Sequence, residues 1–393
     1  MKCHFLFNEK FRQGPFYKLV EWNRLSGYQK GLLSGLHDEA EIYGVFEPVS
    51  VSAELTFKVA YREVAMIFMH LQQFDKLPHY FIVSGTQNSN EVLARLLLDN
   101  IIEIEWKGNY VSGPLALPAI YGETIFEEDK IPDHLSELSL KAIYYAWMLD
   151  ETDLRSVSYK LYTFNTIPWD ISEKLAFNNK HSVKEFLFSA TDTAFRQAME
   201  KQWNAFGDHD TNYWLSWDRS FTAKPIRSNS KYSYKLYISP LVNDLPEVFK
   251  RFIPVISASD AFHFKVGATI EGILRPDKLV AYFYTSEALM DTTAILQKEL
   301  SGFQAHGVPF SAQSDANGLL SHGADPPSTD VLHSIEGGSW RTKIADQLAL
   351  AILQAKKQQL NWQQTIGFIR AMLLTAGIDS NHWMETRSVN NIH

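Results

Sequence analysis

Polar and apolar residues alternate in two short segments of the second half of the chain, a pattern typical of β-strands with one buried face. Lys235 and Tyr237 lie on one side of the first predicted strand, and His263 and Lys265 lie on one side of the second. The apolar residues that alternate with them are Leu236, Ile238, Phe262, Phe264 and Val266. If the two strands lie close together, two lysines share one surface. Ammonium groups without a partner repel each other, so such a surface favours the binding of an anion.

Other periodic segments predict helices. Between the two strands, apolar residues at helical spacing follow the cap residues Asn243 and Asp244. They are Leu245, Val248, Phe249, Phe252, Ile253 and Ile256. The same spacing predicts helices over residues 61–74, 90–100, 133–149, 182–203, 286–300, 340–357 and 361–376. Ser182 and Glu185 have the spacing of a capping box. A short strand is predicted over 308–313, and the glycine- and proline-rich span 314–338 is predicted to be one long loop.

A hairpin is predicted over residues 101–112, with Lys107, Gly108 and Asn109 at its turn. Helices followed by a hairpin resemble a winged helix. The span 60–114 has four basic and six acidic residues, so DNA binding is not expected there. A winged helix can also dock a peptide by adding a strand to the edge of its hairpin. The alternative is a hairpin that only closes a helical domain.

The chain has 393 residues, enough for about two domains, and 45% of them are hydrophobic, so each domain can bury a core. The sharpest shift toward polar and turn-forming residues lies between 207 and 233. We therefore predict an α+β fold with three parts. They are a mainly helical domain over 1–206 that contains the hairpin, an α+β domain over 207–378, and a polar tail over 379–393.

The net charge and the cysteine content limit which kinds of partner and which cellular compartment we expect for the protein. With 37 basic and 45 acidic residues the net charge is -8, so we expect no nucleic-acid partner. The single cysteine, Cys3, excludes an internal disulfide and favours a cytoplasmic location. The N-terminus lacks the apolar run of a signal peptide, and no stretch is long enough to cross a membrane. A secreted effector stays an alternative, since composition defines effector signals poorly.

The sequence lacks the motifs of several common enzyme classes. It has no Walker-type loop, no dinucleotide fingerprint and no nucleophile elbow. Histidine and acidic residues cluster around His37 and His209, but neither cluster has the spacing of a helical zinc site, and solvated loops explain both. We expect neither a metal nor a cofactor.

Three segments carry a resemblance to a known family. In order along the chain they are KLYIS, FHFKV and RPDKLVAYF. Their order and spacing resemble the phosphothreonine lyase-like domains of bacterial type III effectors and the lyase regions of lanthionine synthetases. The resemblance is closest to the HopA-type effector branch, and it covers roughly residues 212–357. It implies β-elimination, in which phosphate leaves phosphoserine or phosphothreonine in a peptide and a dehydroamino acid remains.

The resemblance also implies roles for individual residues. Lys265 matches the lysine that removes the Cα proton, which requires its pKa to fall by about three units. Lys235 matches a lysine that binds the phosphate and supplies a neighbouring cation. Four further basic residues are candidate phosphate ligands, although surface solvation is the simpler explanation for each one taken alone: Arg275, Lys278, Arg341 and Lys343.

One position departs from the family. Two residues after the first lysine the lyases have a histidine that acts as general acid, whereas this chain has Tyr237. A tyrosine is a weaker acid than an imidazolium, and His263 is an alternative donor. If neither donates a proton, the protein binds phosphopeptide without converting it.

Two hypotheses follow. The first is a carbon–oxygen lyase acting on a phosphorylated peptide during maturation of a ribosomally made peptide. Because the chain has no kinase motif, a separate peptide kinase is then expected. The second is a non-catalytic phosphopeptide-binding or effector protein that keeps the lyase fold.

Overall fold

A computed structural model of the protein describes residues 6–33, 41–50, 52, 55–77, 89–122, 131–168, 177, 179–188, 193–206, 214–220, 233–325 and 339–385. His37 and His209, considered above as metal ligands, lie outside these residues. So does the part of the predicted long loop that covers 326–338.

The N-terminal half combines helices with two small antiparallel sheets. In chain order its described elements are β1 (Phe11–Gln13), β2 (Tyr17–Glu21), α1 (Gly27–Leu33), β3 (Ile42–Pro48), β4 (Lys58–Tyr61), α2 (Arg62–His70), α3 (Ser89–Leu98), β5 (Ile102–Trp106), β6 (Asn109–Val111), α4 (Leu117–Tyr121), α5 (His134–Met148), α6 (Leu154–Tyr162), α7 (Lys180–Phe188), α8 (Thr193–Glu200) and β7 (Trp203–Phe206). The sheets have the strand orders β1-β5-β6 and β2-β3-β4.

The C-terminal half alternates strands and helices, so the whole chain has the mixed α+β character that the sequence predicts. Its described elements are β8 (Trp214–Arg219), β9 (Ser233–Ile238), α9 (Leu245–Ala258), β10 (His263–Gly267), α10 (Ile270–Ile273), β11 (Leu279–Phe283), α11 (Ser286–Glu299), β12 (Ala312–Gln313), β13 (Leu320–Asp325), α12 (Trp340–Lys357), α13 (Trp362–Thr375), β14 (Ile378–Asp379) and β15 (Met384–Glu385).

Strands β7 to β13 form one antiparallel sheet of seven strands in the order β12-β13-β9-β11-β10-β8-β7. One face of this sheet is apolar and is covered by α9 and α11. Phe264 of β10 lies at its centre, with its ring centroid 5.8 Å from that of Phe252 and 4.8 Å from that of Trp217. The burial of these large rings holds α9 against the sheet. The opposite face carries the polar residues.

Two large hydrophobic cores lie within the described part of the chain. One joins the sheet to α7, α9 and α11. The other joins residues of β1, α2, α3 and α5 to the C-terminal helices α12 and α13. Each core therefore contains residues from both halves of the chain. The division into 1–206 and 207–378 stays a prediction.

Cap residues fix the start of several helices. At the start of α5, Asp133 accepts a hydrogen bond from the Ser136 backbone N–H at 2.7 Å. At the start of α13, Asn361 and Gln364 form a reciprocal capping box. Each cap satisfies backbone N–H groups that have no partner within the helix.

The single helix predicted over 182–203 is wrong. Helix α7 ends at Phe188, α8 covers Thr193–Glu200, and Trp203 begins a strand. Asn179, and not Ser182, caps α7, because its Oδ1 accepts from the Ser182 backbone N–H at 3.0 Å. The sequence SATD, which separates the two helices along the chain, is rich in residue types that favour helix caps over helix interiors.

The long loop predicted over 314–338 is also wrong in its first part. Residues Leu320–Asp325 form β13, which pairs with β9 over six positions. The segment LSHGAD has no β-branched residue, so propensity did not indicate a strand. Its glycine has a packing reason, since a Cβ on Gly323 would lie 2.5 Å from Trp340 Cδ1.

The predicted hairpin is present. Strands β5 and β6 pair across Lys107 and Gly108, whose φ angles of 49° and 83° match a two-residue hairpin turn. The winged-helix resemblance and its peptide docking stay predictions. The predicted tail begins with the pairing of β14 and β15, and residues 386–393 lie outside the described part. Within that part, every helix is too short or too polar to cross a membrane.

Candidate active site

Two rows of paired residues cross the polar face of the large sheet. The first row runs over β9, β11, β10 and β8 as Lys235, Tyr282, His263 and Asp218. The second runs over the same strands as Tyr237, Val280, Lys265 and Ser216. Directly paired residues point to the same side of a sheet, so this register brings the two predicted lysines to one face. This arrangement agrees with the expectation that Lys235 and Lys265 share one surface.

Lys265 is largely buried between two aromatic rings. Its Nζ lies 4.2 Å from the centroid of the Trp214 ring and 5.6 Å from that of Tyr282. Burial lowers the pKa of Lys265 to about 8, and the positive charge of Lys235 contributes in the same direction. This fall in the pKa is close to the fall of about three units that a lysine base requires, and burial and the charge of Lys235 are its main causes.

Lys235 is ion-paired. Its Nζ lies 2.6 Å from Asp325 Oδ2, and 5.2 Å from the centroid of the Tyr282 ring. The other carboxylate oxygen of Asp325 accepts from the backbone N–H of Trp340 at 2.9 Å, at the start of α12. Asp325 thus joins the lysine to a helix N-terminus, where a negative charge is stabilised by the helix dipole.

Arg275 is held by a buried carboxylate. Its Nε and Nη2 donate to the two oxygens of Asp277 at 2.8 and 2.9 Å. Arg341 Nη1 lies 2.8 Å from Asp277 Oδ2. Burial alone would raise the pKa of Asp277, but the guanidinium groups of Arg341 and Arg275 hold it well below its usual range. Asp277 is therefore ionised and shared by two arginines.

The two arginines have different access to a ligand. The side chain of Arg275 is 23% exposed, whereas that of Arg341 is 1% exposed. Arg341 also donates to the backbone oxygens of Pro309 and Tyr162. Arg275 can therefore contact a ligand on the polar face, whereas Arg341 is inaccessible to a ligand and pairs with Asp277.

Two of the predicted phosphate ligands lie apart from the cationic cluster that Lys235, Lys265, Arg275 and Arg341 form. Lys278 is fully buried, and its Nζ donates to the Pro240 oxygen at 2.9 Å and lies 2.7 Å from His306 Nδ1. Burial lowers the pKa of Lys278 to about 7. Lys343 follows Arg341 by two positions on α12, which turns it by about 200° around the helix, away from the side of Arg341.

The two candidate acids differ in accessibility. Tyr237 is 3% exposed, and burial raises its pKa well above the usual value. His263 is partly exposed, and its Nδ1 lies 2.6 Å from Asp218 Oδ1. Burial lowers the pKa of His263, while Asp218 acts in the opposite direction. Because Asp218 holds Nδ1, any proton transfer by His263 has to use Nε2.

Sequence reasoning missed the partners of these cations: Tyr162, Trp214, Asp277, Tyr282 and Asp325. Tyr282 had a detectable signal, because alternation along β11 puts it on one side with Val280. Tyr162 and Asp325 had none, since one comes from the N-terminal half and the other from an unpredicted strand. Within the described residues, no group of three or more His, Cys, Asp or Glu side chains is arranged to hold a metal ion.

These features define an α+β protein with a partly buried cationic cluster on one face of an antiparallel sheet. No protein-family model matches the chain, and no curated protein matches it. An effector protein from Pseudomonas syringae pv. tomato is a similar solved structure, with 12% identity, coverage of 63% of this chain and 97% of that chain, and a TM-score of 0.35. An effector protein from Pseudomonas syringae pv. syringae has 15% identity, the same coverage of 63% and 97%, and a TM-score of 0.40.

A third similar structure is the type III effector and phosphothreonine lyase OspF from Shigella flexneri. Its identity is 11%, the match covers 38% of this chain and 88% of that chain, and the TM-score is 0.27. At identities of 11–15%, the function of this chain has to be argued from its own residues.

Proposed function

We propose that the protein is a lyase that removes phosphate from phosphoserine or phosphothreonine in a peptide by β-elimination. One observation carries the proposal. Lys265 has a pKa lowered to about 8 and shares one sheet face with Lys235, close to Arg275. A lysine of this kind can act as a base, and its neighbours can bind the leaving group.

Lys265 is the base in this proposal. With a pKa of about 8, about one in ten of these side chains is neutral at pH 7. The neutral amine takes the Cα proton, and the electrons of that C–H bond form the Cα=Cβ double bond. The Cβ–O bond then breaks, and its electron pair leaves with the phosphate oxygen. The resulting ammonium group later returns its proton to water.

Lys235 and Arg275 bind the phosphate. Among the described residues, four basic side chains (Lys235, Lys265, Arg275 and Arg341) lie near the two carboxylates Asp277 and Asp325, and the third carboxylate of this face, Asp218, pairs with His263, so an anionic ligand balances the remaining positive charge. Arg275 can donate from Nη1 to a phosphate oxygen, since Asp277 and Tyr162 accept from Nε and Nη2, while Lys235 offers a point charge. Of the predicted ligands, Arg341 is buried and supports Asp277, whereas Lys278 is buried apart from the cluster.

The departing oxygen needs a proton, because fully ionised phosphate is a poor leaving group. His263 suits this role better than Tyr237 in its imidazolium form, in which Nδ1–H donates to Asp218 and Nε2–H carries the proton to the departing oxygen, and its ring is partly exposed on the same face. The buried phenol of Tyr237, with its raised pKa, is the weaker acid.

Mass spectrometry of phosphoserine and phosphothreonine peptides tests the proposal. Wild-type protein should produce a loss of roughly 98 Da, the mass of phosphoric acid, and Lys265→Ala should abolish it. Lys298→Ala is the matched control, because Lys298 is exposed on α11, which covers the opposite face of the sheet. No mass loss with any peptide, or equal loss with Lys265→Ala, would contradict the proposed reaction.

A second candidate is phosphopeptide binding without turnover. It is favoured by Tyr237, which stands where the resemblance implies a catalytic histidine. In that case the same peptides bind in a Lys235-dependent way and keep their mass. The roles in ribosomal peptide maturation and in partnership with a peptide kinase belong to the first candidate and remain predictions.

A further inference from the structure

Tyr162 brings the N-terminal half of the chain into the cationic cluster. It is the last residue of α6 and lies outside the span 212–357 that carries the family resemblance. Its hydroxyl oxygen accepts a hydrogen bond from Arg275 Nη2 at 2.7 Å. Its ring centroid lies 4.9 Å from the guanidinium carbon of Arg275 and 4.9 Å from that of Arg341. One aromatic side chain therefore contacts both arginines that flank Asp277.

Hydrogen bonds hold the backbone of Tyr162 as well as its side chain. Its carbonyl oxygen accepts from Arg341 Nη2 at 2.7 Å. Three residues later, the Asn165 side-chain amide donates to the backbone oxygens of His306 and Gly307, at 3.1 Å each. His306 Nε2 lies 2.6 Å from the Asn165 oxygen. These polar contacts attach the end of α6 to the loop that follows α11.

The same segment is tied to the chain just before Arg275. The Ile167 backbone N–H donates to the Leu274 oxygen at 3.1 Å. The position of Tyr162 relative to Arg275 is therefore held from two directions, by the Asn165 contacts and by this backbone bond. Such double attachment restrains a side chain that has to orient another.

The contacts of Arg275 select one nitrogen for a ligand. Among the described residues, Asp277 and Tyr162 accept from Nε and Nη2, which leaves Nη1 as the nitrogen available to a ligand. A guanidinium held in this way loses little rotamer entropy when it binds phosphate. Without the tyrosine hydroxyl, Nη2 would have one fixed acceptor fewer, and Asp277 alone would hold the guanidinium group.

We propose that Tyr162 is a positioning residue that orients Arg275 for the phosphate group of the substrate. The inference rests on the proposed function, because it assumes that the cluster receives a phosphorylated peptide. It also assigns the N-terminal half a part in the site itself. This part is distinct from peptide docking, which the sequence suggested as one possible role of this half.

Tyr162→Phe tests the inference, since it removes the hydroxyl and keeps the ring. We expect KM for a phosphopeptide to rise about tenfold, the size expected for a lost hydrogen bond to a charged group, and kcat to stay within about twofold. Tyr162→Leu, which also removes the ring, should raise KM further. Tyr159→Phe is the matched control, because Tyr159 lies one turn earlier on α6 and is 68% exposed. Its KM should equal that of the wild type.

Two outcomes separate this inference from the proposed function. If wild type eliminates phosphate and Tyr162→Phe has the wild-type KM, the positioning role is wrong while the lyase function stands. If wild type eliminates nothing, the lyase function fails, and the dissociation constants of phosphorylated and unphosphorylated peptide become the readout. The inference then holds only if Tyr162→Phe, and not Tyr159→Phe, weakens binding of the phosphorylated form by about tenfold. Thermal unfolding of each variant checks that the fold is unchanged.

Discussion

Lys235 and Asp325 form an ion pair on the polar face of the sheet, with 2.6 Å between Nζ and Oδ2. The pair is mostly buried, with side-chain exposures of 9% and 19%, so water screens it weakly. Both residues act on Lys265, since the charge of Lys235 lowers its pKa and that of Asp325 raises it. Removing either partner should therefore move the pKa of Lys265, and the two removals should move it in opposite directions.

The first prediction concerns Lys235→Met. In the wild type, kcat/KM for elimination should rise with pH through about 8, because Lys265 has to lose its proton to act as a base. Removing the neighbouring positive charge should shift this rise to higher pH, in addition to weakening phosphate binding. The pH dependence of kcat/KM measures the shift. Lys298→Met should leave the profile unchanged, and an unshifted profile in Lys235→Met would mean that the two lysines are not coupled.

The second prediction concerns Asp325→Asn, which keeps an oxygen for the Trp340 N–H and removes the charge. The pKa of Lys265 should fall, and by less than it rises in Lys235→Met, since Asp325 acts on it less strongly than Lys235 does. The rise of kcat/KM should thus appear at lower pH than in the wild type. A shift to higher pH would contradict the charge arrangement described here.

The third prediction concerns Asp277→Asn. Both Arg275 and Arg341 lose their buried carboxylate, and uncompensated buried charge is costly, so the free energy of unfolding should fall by about 3–5 kcal/mol. Urea denaturation gives the value. The control is Glu247→Gln, which breaks an exposed pair with Arg251 and should cost less than about 1 kcal/mol. Equal costs for the two variants would show that the arginines do not depend on Asp277.

The fourth prediction concerns Gly323→Ala. The new methyl group would lie 2.5 Å from Trp340 Cδ1, so the indole ring or β13 has to move. The free energy of unfolding should fall by about 1–3 kcal/mol. Gly27→Ala is the control, because a Cβ there meets no atom within 4 Å. Urea denaturation of both variants checks the expectation, which fails if Gly323→Ala is as stable as the wild type.

Local patterns predicted the part of the site that depends on alternation. The strand positions of Lys235 and Lys265 follow from a period of two, and pairing of β9, β11 and β10 then brings them to one face. The same patterns indicated the helix that covers the apolar side. For these elements the burial preference of each side chain determines the structure locally.

The remaining parts depend on contacts between distant segments. Asp325 lies on a strand that exists because β9 has an edge to pair with and because Trp340 packs on Gly323. Tyr162 reaches Arg275 from 113 positions away in the chain. The burial of Lys278 and Arg341 likewise follows from tertiary packing. A single sequence shows their charges, but it does not show which of them reach the surface.

The fifth prediction concerns the buried Lys278. Its folded-state pKa is about 7, well below the ordinary value of 10.5, because burial disfavours the ammonium form. Between pH 7 and 10.5 the unfolded chain therefore binds a proton at this position that the folded protein does not bind. Stability rises with pH wherever the unfolded state binds more protons, so Lys278 should add a positive slope of at most about 1.4 kcal/mol per pH unit within this window.

Lys278→Met removes this titration and nearly preserves the side-chain volume. The free energy of unfolding of the wild type, measured relative to that of the variant, should therefore increase as the pH rises from about 7 to about 10. Urea denaturation at several pH values measures the difference, and Lys298→Met, at an exposed position, should follow the wild type throughout. Parallel curves for the wild type and Lys278→Met would mean that Lys278 keeps its proton in the folded protein. Its contact with His306 Nδ1 at 2.7 Å would then join a charged donor to a neutral imidazole, since the pKa of His306 is lowered to about 4 by burial and by Lys278.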